Sequence, residues 1–227
     1  MASFREAFNL IFSGDAALYE IIGLTLLVSI ASTSIAALFG IFFGMILGKS
    51  SFPGRKIVVG LVNTLMGLPP VVAGLIVYLL LSRSGPLGFL HLLYTPKAMV
   101  IAQVLLITPI ICGLVLSTVS VKKIIVEENC RGLRLSGLTS RRLLLHECRR
   151  PIYCAVLAGY GRAISEVGAI MIVGGNIAGK TRVMTTAIVL ETSKGYFDIA
   201  VALGIVLLLL ALIVNLMVMK LTGGTAE

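Results

Sequence analysis

Two groups of residues in this chain have the types and spacing of working chemistry. Residues 174–181 read Gly-Gly-Asn-Ile-Ala-Gly-Lys-Thr, which satisfies G-x-x-x-x-G-K-[ST], the spacing with which a glycine-rich loop cradles phosphates. Arg162 and Glu166 are four residues apart inside an otherwise apolar run, so on a helix they meet as an ion pair. Charges within a membrane span cost about 2.5–3.5 kcal/mol each on insertion scales, so both must face protein or water. The pair either locks helices together or contacts a substrate. No further catalytic constellation stands out: His91 and His146 are isolated, and the spacings of Cys112, Cys130, Cys148 and Cys154 match neither a zinc site nor a disulfide framework.

The surrounding sequence decides against nucleotide chemistry at 174–181. A phosphate loop joins a short strand to a helix inside a soluble sheet, with an acidic residue elsewhere to hold magnesium. Here a long apolar run precedes the motif, and no apolar run ending in an aspartate follows it. The expectation is a glycine-rich turn carrying Lys180 and Arg182 outside the membrane.

The elements that position these residues are membrane spans. Hydrophobic residues make up 58% of the 227, and charged residues only 13%, against about 25% in soluble domains. About 20 apolar residues cross a bilayer. Residues 21–48, 57–82, 98–121 and 199–219 meet that length without a charge, and 152–179 is interrupted only by Arg162 and Glu166. Five spans leave no room for a sizeable soluble domain, so the chain reads as one all-α transmembrane domain over 1–227. Residues 4–12, with Phe4, Phe8, Ile11 and Phe12 at helical spacing, suit a short interfacial helix before the first span. Residues 1–19 do not read as a secretory signal.

The formal charge of +9 invites nucleic acid, but its distribution argues for topology instead. Alternating across the five spans, one face collects Lys49, Arg55, Lys56, every basic residue of 122–150 and Lys220. The other holds Arg5, Arg83, Lys97, Lys180, Arg182 and Lys194. The richer face is cytoplasmic by the positive-inside rule. The N-terminus is then outside, and the C-terminus and the 122–150 island are cytoplasmic.

Three features refine the spans. Gly40, Gly44 and Gly48, with Ala36 a turn earlier, line one helix face and admit another backbone closely, within this chain or in a second copy. Gly67-Leu68-Pro69-Pro70 must break or kink the second span, because two donors are lost and helix is disfavoured at Leu68. Such breaks survive where a neighbour or a watery cavity satisfies the freed carbonyls. In the island, short helices are expected, with Ser140 capping a second helix that Pro151 ends.

These residues carry a resemblance. The island, with Glu127-Glu128 near its start, a central Gly137 and the terminal Pro151, resembles the EAA loop of ABC-importer permeases, although the spacing around Gly137 and the Arg149-Arg150 pair depart from that pattern. Residues 161–195, containing SEVGAIMIVGGNI and TRVMTTAIVLETSKG, are similar to the oxyanion permeases of molybdate, sulfate and tungstate importers, the tungstate branch above all. The resemblance implies a type I permease fold with five core helices and a coupling loop at about 122–151. Glu128, Arg131, Gly137, Leu138, Thr139 and Pro151 would engage a cytoplasmic ATPase that holds ATP and magnesium, this chain binding no cofactor or metal itself. It further implies two copies around one pore, an extracytoplasmic oxyanion-binding protein as donor, and lipid as surroundings. Pro69, Pro70, Ser165, Gly168 and Asn176 are the candidates for path or gate. Tungstate, molybdate or another oxyanion remain alternatives as cargo. A membrane scaffold that recruits a cytoplasmic partner without transport is the rival of a different class.

Overall fold

The computed structural model describes residues 16–133 and 136–222, so the expected helix at 4–12 lies outside the described residues. Among the described residues eight α-helices follow in chain order: α1 Ala16–Lys49, α2 Arg55–Met66, α3 Pro70–Leu81, α4 Pro96–Gly132, α5 Gly137–Ile164, α6 Gly168–Gly174, α7 Met184–Lys194 and α8 Phe197–Thr222, with a 3₁₀ turn at Gly88–Leu90. Helices α1, α4 and α8 are each long and apolar enough to cross a membrane. The pairs α2–α3 and α5–α6 pass the same test together, bent by 101° and 57°.

Helix α4 is the spine. Its apolar window is 61% buried, against 33% for α1 and 17% for α8. Helix α1 runs parallel to it through the glycine seam, from Ser32 beside Gln103 to Gly48 beside Val119. A Cβ built on Gly40 would lie 2.8 Å from Ile111 Cβ, one on Gly44 2.7 Å from the Cys112 carbonyl oxygen, and one on Gly48 2.7 Å from Val119 Cβ. The seam therefore packs within this chain. At its end, Arg55 Nε donates to the Leu47 carbonyl (2.8 Å) and Lys123 Nζ to the Lys49 carbonyl (3.0 Å), cations on the free carbonyls of a helix C-terminus.

The tandem prolines end one helix and begin another. Gly67 closes α2, Pro69 is extended at φ −61° and ψ 130°, and Pro70 takes the first position of α3, where its missing N–H costs nothing. The pair still crosses completely. Arg55 donates to Ser120 Oγ near the Lys122 end of α4 (3.1 Å), while Leu81 is buried in one cluster with Ala98 and Met99 at the Lys97 end.

The island differs from the sequence expectation. Instead of separate short helices, α4 runs on to Gly132 and α5 begins at Gly137, so the charged segment is a helical hairpin continuous with two spans. Ten residues beyond Lys122 carry α4 about 15 Å further. Val126, Cys130, Leu144 and Cys148 are buried together between its arms, and Lys122 Nζ meets Glu147 Oε2 at 3.2 Å. The cap is Ser136, whose Oγ accepts the Thr139 N–H at 3.3 Å, rather than Ser140.

Pro151 does not end α5 but lies inside it. A proline in a helix interior removes one hydrogen bond and costs about 3 kcal/mol. Cys148 before it and Ala155 after it are both buried in the cluster shared with α4, and that packing holds the helix through the defect. Pro109 is likewise carried inside α4.

Candidate functional site: two broken spans that meet

The two interrupted spans converge. A Cβ on Gly168 would lie 3.0 Å from Val71 Cγ2 and 3.7 Å from Pro70 Cβ, and one on Gly74 only 2.7 Å from Ala169 Cα. The starts of α3 and α6 are thus packed glycine to backbone, and only hydrogen fits at Gly74. Pro69 and Ser165, the residues beside each break, are exposed.

Arg162 Nη1 lies 2.9 Å from Glu166 Oε2, with the glutamate side chain 3% exposed and the arginine 37%. Glu166 sits in the break, one residue past the Ser165 cap of α5. Its Oε1 accepts the Ala169 N–H (3.2 Å), and its carbonyl accepts the Thr185 hydroxyl (2.8 Å). The carboxylate therefore caps α6 while neutralising the last arginine of α5. Arg162 keeps an open side.

The carbonyls freed by the break find partners, as a low-dielectric setting demands. Gln103 Nε2 donates to the Ala163 carbonyl at 2.9 Å, and its Oε1 accepts the Ser32 hydroxyl. Ser165 Oγ donates back to the Gly161 and Arg162 carbonyls at 3.0 and 3.2 Å. Gln103 is 1% exposed and Ser32 0%, so one amide ties α1 and α5 to the spine at the break. Sequence reasoning passed over Gln103 because the spans were selected for lack of charge. A lone amide in the apolar run 98–121 was the available signal.

This register also sets the depth. Gln103 is six residues from Lys97 and nineteen from Lys122, about 9 Å and 28 Å at helical rise. The ion pair is therefore nearer the Lys97 end of the spine than the Lys122 end.

Asn176 is not part of this junction. It follows α6 at the opposite end from Gly168, about 10 Å along seven residues. Its φ is 51°, and its Nδ2 donates to the Thr186 carbonyl at 3.3 Å. The phosphate-loop lookalike around it is closed by its own threonine. Thr181 Oγ1 donates to the Gly174 carbonyl (2.6 Å) and accepts the Ile177 N–H (3.0 Å), and Thr181 is fully buried. Gly175 and Gly179 take φ of 71° and 70°, and a Cβ on Gly175 would strike Tyr94 Cδ1 at 2.8 Å. A helix precedes this turn, and its hydroxyl is spent internally, so it offers no cradle for phosphate.

Among the coupling candidates, Glu128, Arg131, Gly137, Leu138 and Thr139 are exposed on or near the tip of the hairpin. Pro151 is about 21 Å along α5 from Gly137 and half-buried. It does not share their surface. Burial pushes the Cys148 thiol up, with Glu147 adding to this and Lys122 opposing it. Among the described residues no three His, Cys, Asp or Glu side chains cluster to hold a metal.

Five crossings, two of them broken at one level and stabilised by an intramembrane ion pair, form the architecture of a transport permease. Residues 40–222 match the family described as binding-protein-dependent transport system inner membrane component, and the chain belongs to that family. It is 42% identical over 218 residues to the tungstate uptake system permease protein of Peptoclostridium acidaminophilum, covering 96% of each chain. It is 38% identical over 221 residues to the tungstate uptake system permease protein of Campylobacter jejuni, covering 96% of this chain and 91% of that one. The crystal structure of an amino acid ABC transporter with histidines shares the fold, with a TM-score of 0.69 over 93% of this chain and 95% of that one at 16% identity.

Proposed function

We propose that this permease is the membrane-spanning subunit of an ATP-driven tungstate importer. The observation that carries the reading is near-complete alignment with tungstate uptake permeases, in a chain whose two broken spans meet beside a half-open arginine. Two copies form the pore, with the N-terminus outside and the C-terminus in the cytoplasm, a topology that rests on the excess of basic residues in 49–56 and 122–150. An extracytoplasmic oxyanion-binding protein delivers the anion. A cytoplasmic ATPase supplies the energy and carries the ATP and magnesium, and this chain binds no cofactor.

The geometry supports a lever mechanism. Glu128, Arg131, Gly137, Leu138 and Thr139 present the exposed tip of a hairpin whose arms are spans α4 and α5. ATPase closure would therefore push directly on α5, whose far end is the break at Ser165. Helices α3 and α6, locked through Gly74 and Ala169, would move as one body about Pro69-Pro70 and Ser165–Gly168, gating the path. The exposed side of Arg162 offers a cation to a passing dianion. Glu166 cancels enough of that charge for the anion to leave again.

Deleting residues 132–142 tests the coupling. The shortened chain is expected to insert in the membrane and to lose co-purification of its ATPase. Unchanged co-purification would overturn the assignment of the hairpin tip.

A further inference from the structure

A cavity of about 700 Å³ opens between α4, α5 and α8 at the hairpin end of the spans, within the size range of about 300–1,000 Å³ typical of ligand sites. Its two ends differ in chemistry. The wall is mostly apolar, with Leu114, Ala155, Ala158 and Val218 beside the hydroxyls of Ser117 and Thr118, the latter donating to the Leu114 carbonyl at 2.9 Å. The rim carries Lys122, Glu147 and Arg150, flanking the point where apolar sequence gives way to the island. Lys122 is engaged by Glu147 at 3.2 Å, whereas exposed Arg150 has no hydrogen-bond or ion-pair partner among the described residues. The rim therefore presents one uncommitted cation.

We infer that this cavity binds one anionic phospholipid of the cytoplasmic leaflet. Its phosphodiester sits on Arg150 beside Lys122, and one acyl chain lies along Leu114, Ala155, Ala158 and Val218. The inference goes beyond the transport reading and uses from it only the cytoplasmic side. A guanidinium matches phosphate oxygens in a forked pair of hydrogen bonds, and a net single positive charge matches a phosphodiester. Basic pockets at the cytoplasmic boundary are where anionic lipid is recognised. The wall argues against the transported anion as occupant, since a bare dianion gains nothing from alkyl carbon and needs donors on every side. It also differs from the surfaces that meet bulk lipid elsewhere. Those carry large exposed residues such as Phe42, Leu79 and Leu208, whereas Ala155 and Ala158 recess this one enough to admit a single chain.

Cys154 lines the same cavity and is the only one of the four free cysteines that is not buried, so it serves as a native reporter. The full-length protein, exchanged into equimolar phosphatidylglycerol and phosphatidylcholine, is examined by native mass spectrometry and by maleimide labelling of Cys154. Phosphatidylglycerol is expected to be retained preferentially and to slow the labelling. Arg150→Gln should reduce that retention about fivefold, the worth of one basic residue at an anionic surface. Arg142→Gln, an exposed arginine of the island, should leave it unchanged. Ala158→Phe, which fills the wall without altering charge, should release both lipids. Equal retention of the two lipids, or indifference to both Arg150→Gln and Ala158→Phe, would overturn the assignment. So would protection of Cys154 by tungstate in place of lipid, or cross-linking of Cys154 between two copies. Tungstate uptake is measured separately: its failure with lipid retention intact would remove the transport reading and leave the lipid site standing.

Discussion

Removing either member of the Arg162–Glu166 pair should have very unequal consequences. The glutamate side chain is 3% exposed and the arginine 37%, so the two orphaned charges find different surroundings. Arg162→Met strands a carboxylate in the break with only the Ala169 N–H at 3.2 Å to solvate it. Breaking a buried pair in this way costs about 3–5 kcal/mol. Glu166→Gln leaves a guanidinium with an open side, and a glutamine oxygen can still accept the Ala169 N–H. With solvent screening of the exposed partner, that loss is about 1 kcal/mol. The double variant removes both charges and should recover about 2–3 kcal/mol relative to Arg162→Met alone, a coupling typical of side chains in direct contact. Reversible unfolding of the purified chain in mixed detergent, followed by circular dichroism, measures all four corners of the cycle. Equal losses for the two single variants, or an additive double, would refute the assignment of Glu166 as the buried and dependent partner.

Further outcomes follow from the same contacts. Gly44→Val should destabilise the chain by about 1–3 kcal/mol through overpacking, because its Cβ would lie 2.7 Å from the Cys112 carbonyl oxygen. Gly60→Ala, with nothing within 4 Å, should be stabilising by about 0.5–1 kcal/mol, and thermal unfolding separates the two. Gln103→Leu should cost about 1–2 kcal/mol through the lost bonds to Ser32 and Ala163. Much of this should return in Gln103→Leu with Ser32→Ala, and full additivity would contradict a shared polar tie. At neutral pH, Cys148 should react with maleimide far more slowly than Cys154. Burial disfavours its thiolate, and raising the pH should increase its rate only above the ordinary thiol range. Equal labelling at pH 7 would count against the packed hairpin.

The features that announced themselves in the sequence were those where local chemistry is decisive. Two adjacent prolines cannot continue a helix, and the chain does break there, although the 101° bend depends on how α2 and α3 each pack against α4. Apolar length located the five crossings and the island between the third and fourth. Pro151 was misleading because its cost of about 3 kcal/mol is outweighed by burial of Cys148 and Ala155 on either side, a tertiary fact. The break at Ser165–Glu166–Val167 was not legible, since 152–179 carries no proline after Pro151. It depends on Gln103, Thr185 and Glu166 meeting from three parts of the chain. Pro70 and Gly168, chosen separately, prove to be neighbours, whereas Asn176 lies at the far end of α6.

Radiolabelled tungstate uptake into vesicles containing this permease, its ATPase and the binding protein probes the proposed function at its root. Uptake should require ATP and the ATPase together, and should be lost when residues 132–142 are deleted. Accumulation that proceeds without the ATPase, or a complete system that hydrolyses ATP yet moves no oxyanion, would contradict it.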